Sequence, residues 1–193
     1  MRLFRKIGVL MKKLVVMFPG VGYGFNHPLL YYSDLLFDSK GYECFYMRYQ
    51  DTFFDDKLSF DEKAAKVRRF VFEEAKKIDF TNYDEIVFLS KSIGSVEAGV
   101  LAESLDFKVK QIFLTPVEKA IPYCKADSCV VIGTKDEAFG AYKQHCDESG
   151  IEALYIENAN HSLEVEDSVY HNIEIVEEVM KYIDEFEVKS DEQ

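Results

Sequence analysis

Residues 85–95 read EIVFLSKSIGS, an apolar run that ends in serines and is followed by a glycine. In a sharp turn from a strand into a helix, a nucleophilic serine sits at a strained backbone angle, so the residues two before and two after it must be small. Around Ser92 those residues are Ser90 and Gly94, whereas Ser90 itself would have Phe88 two before it. Because phenylalanine is too large for such a turn, the stretch predicts Ser92 as the nucleophile. Taken alone, it fits an ordinary polar turn almost equally well.

Five similar apolar runs lie elsewhere in the chain. All six are continuous and not alternating, which is typical of strands that are buried on both faces of a parallel sheet. Segments with helical spacing separate them, and this alternation predicts an α/β fold: a three-layer α/β/α sandwich around a mostly parallel six-stranded sheet. The predicted strands are 14–18, 44–47, 85–89, 111–115, 129–133 and 153–156, and the predicted helices are 28–39, 60–78, 93–105, about 138–148 and 168–187.

The charge balance narrows the range of partners. The formal net charge is −12, and binding to phosphate backbones depends on clusters of Lys and Arg, so neither nucleic acid nor an anionic membrane surface is an expected partner. No apolar run approaches the roughly 20 residues that a membrane-spanning helix requires. The cysteines form no CxxC pair and no metal-binding spacing, so we expect reduced thiols, a cytoplasmic location, and neither a metal nor a cofactor. They are Cys44, Cys124, Cys129 and Cys146.

Both ends of the chain are expected to lie outside the core of a single domain that spans residues 1–193. The segment MKKLVVMFPG from Met11 reads like a protein start, so residues 1–10 are interpreted as an optional extension. A chain that begins at Met11 should then keep full activity and an unchanged melting temperature. Residues 188–193 read as a polar tail behind an acidic last helix.

The first run is followed by a glycine-rich loop. Ligands of such sheets bind beyond the carboxyl ends of the strands, so this loop is a candidate binding element. A dinucleotide fingerprint would need a glycine at position 25 and an acid at the end of the second run, but the chain has Phe25 and Arg48 there. We therefore expect the loop to bring backbone N–H groups close to a substrate oxygen.

Two further strand ends supply partners for Ser92. Asp136 follows the fifth run and His161 follows the sixth. The chain order Ser, Asp, His is that of the α/β-hydrolase triad, in which each member lies at a strand end. Simpler interpretations stay open: Asp136 as a helix cap, Glu137 as a competing carboxylate, and His161 as an ordinary loop histidine.

Four motifs together resemble those of small, single-domain bacterial α/β-hydrolase-fold proteins, over nearly the whole chain from Lys13 to about Phe186. They are FPGVGYG (18–24), LSKSIGS (89–95), GTKDEAF (133–139) and NANHSLE (158–164). The resemblance implies a six-stranded parallel core that lacks the first two edge strands of the full fold, with the first run between the second and the third. Two residues depart from the family pattern: Ser90 replaces the usual glycine, and Pro19 stands where many esterases have histidine.

The resemblance also implies a mechanism. His161 would act as the base for Ser92, Asp136 would orient the imidazole, and the backbone N–H groups of Val21 and Ile93 would form the oxyanion hole. Only a short segment separates the fourth and fifth runs, where larger hydrolases insert a lid, so an open pocket is expected. Candidate substrate-binding residues are Tyr23, Phe25, His27, Arg48 and Phe139; for the aromatic ones, a place in the core is an equal alternative.

Two charged side chains near the predicted site receive separate expectations. Arg48 would pair either with a substrate carboxylate or, as the simpler alternative, with a structural carboxylate of this acidic chain. Lys91, inside the SKS motif, is expected to point to solvent.

These features predict a serine hydrolase that cleaves a small soluble carboxylic ester or thioester through an acyl-enzyme intermediate. The expected partner is a small-molecule acyl substrate. An amidase or peptidase with the same triad is one alternative, and a non-catalytic binding protein on the same fold is another. The sequence specifies neither the acyl and leaving groups nor the oligomeric state.

Overall fold

The computed structural model describes residues 11–166 and 168–191, with side chains up to residue 187. The predicted extension 1–10 lies outside the described residues, as do the last two residues of the predicted tail. Within the described part of the chain, no helix combines the length and the apolar character that crossing a membrane requires.

Six strands form one parallel sheet in the order β2-β1-β3-β4-β5-β6. β1 therefore lies between β2 and β3, as the resemblance implied, and the predicted three-layer α/β architecture is confirmed. The strands are β1 (Lys13–Phe18), β2 (Tyr42–Tyr46), β3 (Glu85–Ser92), β4 (Lys110–Pro116), β5 (Cys129–Gly133) and β6 (Ala153–Ile156); the helices are α1 (Pro28–Ser39), α2 (Phe60–Ala75), α3 (Gly94–Glu103), α4 (Phe139–Ser149) and α5 (Val169–Asp191).

The continuous apolar runs are explained by burial on both faces. Val15 and Met17 of β1 pack with α1 and α5, whereas Leu14 and Val16 pack on the other face with α2 and α3. Since successive side chains of a strand point to opposite faces, every position of such a strand must be apolar. A smaller cluster under α4 completes the core on the second face.

Helix ends account for the small differences from prediction. α2 starts at a capping box in which Ser59 and Glu62 bond each other's backbone N–H groups, and it ends at Ala75, three residues earlier than predicted. α5 continues to Asp191, so four residues of the predicted tail, 188–191, are helical. The segment between β4 and β5 contains only a short 3-10 turn, Glu118–Tyr123, as its regular structure.

Gly133, the last residue of β5, packs against the loop that carries His161. A Cβ atom at this position would lie 2.2 Å from the Ala159 carbonyl oxygen, which is main chain and has little freedom to move. We expect Gly133→Ala to lower the free energy of unfolding by about 1–3 kcal/mol, the usual cost of overpacking. Gly140→Ala is the matched control, because a Cβ there meets nothing within 4 Å and the position is helical. Urea unfolding of both variants checks the difference, and equal stabilities would refute the packing argument.

Candidate active site

The chain turns sharply at Ser92, between β3 and α3. Ser92 has φ 54°, a left-handed backbone conformation that is uncommon for a residue other than glycine. Two residues later, a Cβ atom on Gly94 would lie 2.7 Å from the carbonyl oxygens of both Phe18 and Pro19. Only glycine fits at position 94, which is the size restriction that the sequence predicted.

Ser90 occupies the position where glycine is commoner. Its side chain is fully buried, and its hydroxyl donates a hydrogen bond to the Ile112 carbonyl oxygen in β4 at 3.1 Å. The small side chain is thus accommodated with its polar group satisfied, so this departure from the family pattern leaves the turn intact.

The turn brings Ser92 within reach of His161 and Asp136. The Ser92 hydroxyl lies 2.9 Å from His161 Nε2, and His161 Nδ1 lies 2.6 Å from Asp136 Oδ2. The short contact to a carboxylate assigns the proton to Nδ1, which leaves Nε2 free to accept the proton of the serine. The histidine side chain is 45% exposed and that of Asp136 is 2% exposed, so the chain of hydrogen bonds runs from the interior to the surface.

The two carboxylate oxygens of Asp136 have different partners. Its Oδ1 accepts a hydrogen bond from the Ala138 N–H at 3.0 Å within the turn that precedes α4, while Oδ2 contacts His161. The first residues of α4 receive no side-chain cap, so the interpretation of Asp136 as a helix cap is wrong. Burial opposes ionisation of this carboxyl, but the hydrogen bonds from His161 and Ala138 outweigh burial and hold its pKa below the ordinary value. The neighbouring Glu137, the rival candidate, is exposed.

The glycine-rich loop packs directly against the nucleophile. A Cβ atom on Gly20 would lie 3.0 Å from Ser92 Cβ. Gly20 and Tyr23 close a tight turn through a Gly20 N–H to Tyr23 carbonyl bond of 3.1 Å, with Val21 exposed at its tip. Neither Val21 N–H nor Ile93 N–H takes part in the turn, loop and cap hydrogen bonds found within 11–166 and 168–191.

Two candidate substrate-binding residues hold this loop in shape. His27 Nδ1 accepts a hydrogen bond from the Gly24 N–H at 3.1 Å, and its ring packs on Tyr23 with centroids 4.6 Å apart. Tyr23 is buried, and its hydroxyl accepts from the Leu29 N–H at 3.2 Å. Burial raises the pKa of the Tyr23 hydroxyl to about 12. Both side chains support the loop through these contacts.

The remaining candidates lie in two other places. Arg48 is exposed, and its guanidinium carbon lies 5.3 Å from the ring centroid of Phe25 and 4.9 Å from that of Tyr46. No ion pair of Arg48 is found among the residues that the structure describes, so these aromatic rings are its observed contacts. Phe139 packs edge-on against Tyr155 in the cluster under α4.

The expectation that Lys91 points to solvent is wrong. The residue is 1% exposed, and its ammonium group bonds the Thr115 hydroxyl and, at 2.7 Å, the His161 carbonyl oxygen. Alternation along β3 explains the burial, because Lys91 shares a face with Val87 and Leu89, which belong to the core. The alternation of side chains along β3 was visible in the sequence, whereas the polar groups that bind the Lys91 ammonium were not.

Sequence reasoning missed Thr115. It has φ 39°, a rare conformation for a β-branched residue, and it lies beside the irregularity where the pairing of β3 with β4 shifts between Lys91 and Ser92. The bulge directs the Thr115 hydroxyl to the ammonium of Lys91. Bulges are common next to functional sites, where they re-aim a side chain.

One cavity borders the hydrogen-bonded side chains of Asp136 and His161, and a second cavity is lined by other residues. A polar cavity of about 590 Å³ is lined by Asp136 and His161 together with Val117, Glu118, Lys135 and Asn160. An apolar cavity of about 720 Å³ lies between the first loop, α1 and α5; its lining includes Tyr23 and Ser162 but not the side chains of the hydrogen-bonded chain.

Comparison with known proteins identifies the fold. No protein-family model and no curated protein matches the sequence. The chain is similar to a solved structure from Xanthomonas campestris that is described as a hydrolase of the alpha/beta superfamily. The TM-score is 0.69 and the identity 13%, and the match covers 90% of this chain and 99% of that chain. It is also similar to alpha/beta hydrolase domain-containing protein 10 from mouse, with TM-score 0.66, 10% identity, and 94% and 92% covered. The chain has the α/β-hydrolase fold.

A third similar structure is the dienelactone hydrolase from Anabaena variabilis, with TM-score 0.61, 15% identity, and 89% and 85% of the two chains covered. At such identities the likeness establishes the α/β-hydrolase fold alone, because one fold carries many functions. The roles of Ser92, Asp136 and His161 stay predictions that rest on their own geometry.

Proposed function

We propose that this protein is a serine hydrolase that cleaves a small soluble carboxylic ester or thioester through an acyl-enzyme intermediate. The observation that carries the proposal is the continuous hydrogen-bonded chain from Asp136 through His161 to Ser92, with Ser92 on a left-handed turn. A non-catalytic binding protein would have no need for a buried carboxylate, an imidazole and a strained serine in this order.

Acylation follows from the protonation states. A serine hydroxyl is a weak nucleophile until a base takes its proton, and Nε2 of His161 lies at hydrogen-bond distance from it. As the Ser92 oxygen attacks the carbonyl carbon, the proton passes to Nε2, and Asp136 stabilises the imidazolium that forms. His161 then gives this proton to the leaving alkoxide or thiolate. A water molecule activated by the same histidine releases the acid product and restores Ser92.

The developing oxyanion needs preorganised donors. The Ile93 N–H lies at the head of α3, where the helix dipole favours negative charge, and the Val21 N–H lies in the loop that packs against Ser92. Loss of one such donor in other enzymes costs about 2.7–4 kcal/mol of transition-state stabilisation. Backbone groups are therefore proposed as the second half of the catalytic machinery.

The proposed substrate class rests on the cavity beside Asp136 and His161. The short 3-10 turn between β4 and β5 leaves the polar cavity open, which favours soluble substrates over long lipids. Among structures of the same fold, the dienelactone hydrolase is named for a lactone, a cyclic ester. Est1E from Butyrivibrio proteoclasticus was solved with ferulic acid, a carboxylic acid of the kind that ester cleavage releases.

Labelling with a fluorophosphonate tests the proposal directly. This probe phosphonylates only activated serines, so we expect a single adduct, located on Ser92 by peptide mass spectrometry. Ser92→Ala should remove the adduct, whereas Ser90→Ala, the matched control, should retain it because the Ser90 hydroxyl is buried and bonded to Ile112. An unlabelled folded protein, or equal labelling of Ser92→Ala, would exclude the enzyme and favour the binding protein. A panel of acyl-matched esters, thioesters and amides separates the esterase from an amidase or peptidase.

A further inference from the structure

A lysine with no carboxylate in ion-pair distance is buried beneath the candidate active site. No salt bridge of Lys91 is found in the part of the chain that the structure describes, and its ammonium is bound instead by the Thr115 hydroxyl and the His161 carbonyl oxygen. The nitrogen also lies 4.8 Å from the centroid of the Tyr23 ring, within the range of a cation–π contact. Burying a charge without an ionic partner is costly, so a methionine or leucine would serve the core better.

The contacts of this ammonium group join four segments of the site. Lys91 precedes Ser92 in the sharp turn, and Tyr23 belongs to the loop with the proposed oxyanion donor. Thr115 is the next-to-last residue of β4, and His161 lies in the loop after β6. The hydrogen bond to the His161 carbonyl oxygen is the contact that affects the geometry of the proposed catalytic base. It fixes the main chain of the histidine itself, whereas the Asp136 bond fixes only the ring.

We propose that Lys91 is a positioning residue, whose charged ammonium group holds the main chain of His161 so that the imidazole stays in line with Ser92. The inference rests on the proposed function, since it concerns the geometry of that nucleophile and base. A positioning role explains why the charged side chain of Lys91 is buried here, although the stability of the fold does not require it and the triad does not include it.

The charged form of Lys91 is the form that positions His161, because charge-assisted hydrogen bonds are about twice as strong as neutral ones. Burial lowers the pKa of the ammonium to about 8, and the carboxylates of Asp136 and Glu164 oppose that shift. The titratable groups that face it are Tyr23 from the first loop, Asp136 from the loop after β5, and His161 and Glu164 from the loop after β6. β4 contributes the hydroxyl of Thr115.

Lys91→Met tests the inference through activity, pH dependence and stability together. We expect kcat for p-nitrophenyl acetate to fall by roughly a hundred-fold with KM unchanged, the usual effect of a displaced catalytic group. The wild-type rate should decline as pH rises through about 8, where the ammonium loses its proton. The variant should show no such decline, and a wild-type profile in the variant would overturn the proposal.

Lys91→Met should lower the activity without lowering the free energy of unfolding. The pKa of Lys91 is lower in the folded protein, about 8, than the ordinary 10.5, so its charge destabilises the fold below pH 8 and this cost disappears as pH rises from 8 to 10.5. Lys91→Met should therefore unfold at the same or a higher urea concentration than wild type at pH 7, with a smaller advantage at pH 10. A clear loss of stability at pH 7 would identify a merely structural lysine.

A pair of substitutions at Thr115 keeps the test independent of whether Lys91→Met folds. Thr115→Val removes the hydroxyl partner at nearly constant shape, and Thr115→Ser retains it. We expect the valine variant to lose kcat and the serine variant to keep it. Equal activity of the two would count against the proposal.

Hydrogen exchange separates this inference from the proposed function. The loop from Asn158 to Glu164 is held by internal bonds such as Leu163 N–H to the Asn160 carbonyl at 2.9 Å. Faster exchange of these amides in Lys91→Met supports the positioning role even if wild-type Ser92 takes no fluorophosphonate. Unchanged exchange together with unchanged labelling rate would refute the positioning role while leaving the hydrolase intact.

Discussion

Replacement of His161 by alanine is expected to lower kcat for p-nitrophenyl acetate by roughly a million-fold. In a serine hydrolase the nucleophile and its base act as one unit, so loss of either removes nearly the whole contribution of the triad. The Ser92 hydroxyl, 2.9 Å from Nε2, would be left with no group to take its proton. Single-turnover measurements at high enzyme concentration give the residual rate.

His171→Ala is the matched control for this experiment. His171 is exposed on α5 and its Nδ1 lies 3.3 Å from Glu174, away from the hydrogen-bonded chain. It should retain the wild-type rate, and urea unfolding should show that both variants are folded. A His161→Ala protein with more than a small fraction of wild-type activity would exclude His161 as the general base.

Asp136→Asn is expected to lower kcat by about ten-thousand-fold, which is the known scale of this change in a triad. The asparagine keeps the shape and can still accept the Ala138 N–H bond, but its amide group presents a donor to His161 Nδ1. The imidazole must then carry its proton on Nε2, where it cannot accept the proton of Ser92. We expect the variant to remain folded, because the bond to the Ala138 N–H survives.

Glu137→Gln provides the comparison for Asp136→Asn. It removes the adjacent, exposed carboxylate without touching the hydrogen-bonded chain. Steady-state kinetics should give the wild-type rate for this variant. If instead Glu137→Gln were the inactive protein, the assignment of Asp136 as the acid of the triad would be wrong.

The order of elements could be predicted from the sequence because burial on both faces of a parallel strand forces every position to be apolar. Val15 and Met17 face one layer of helices while Leu14 and Val16 face the other, and this makes each run continuous. Strand boundaries differed by up to three residues, since the pairing of β3 extends through Ser92 after its apolar run has ended.

The partners of Ser92 could also be predicted, for a topological reason. Parallel strands all end at one edge of the sheet, so residues that follow β3, β5 and β6 are brought together whatever their separation in the chain. The expectation for Lys91 failed because charge alone favours solvent, and only the bulge at Thr115 and the main chain of His161 supply polar groups inside the core.

By itself, the sequence determined the alternation of strands and helices, the glycine at position 94, and the three side chains that follow three strand ends. These are local properties of period, size and position. The tertiary structure alone decided which atoms face each other: the Ser90 hydroxyl to Ile112, Arg48 to two aromatic rings, and the buried ammonium of Lys91 to His161. Hydrogen bonds and ring contacts act over a few ångströms, and distances between residues far apart in the chain are set only when the sheet and its loops have packed.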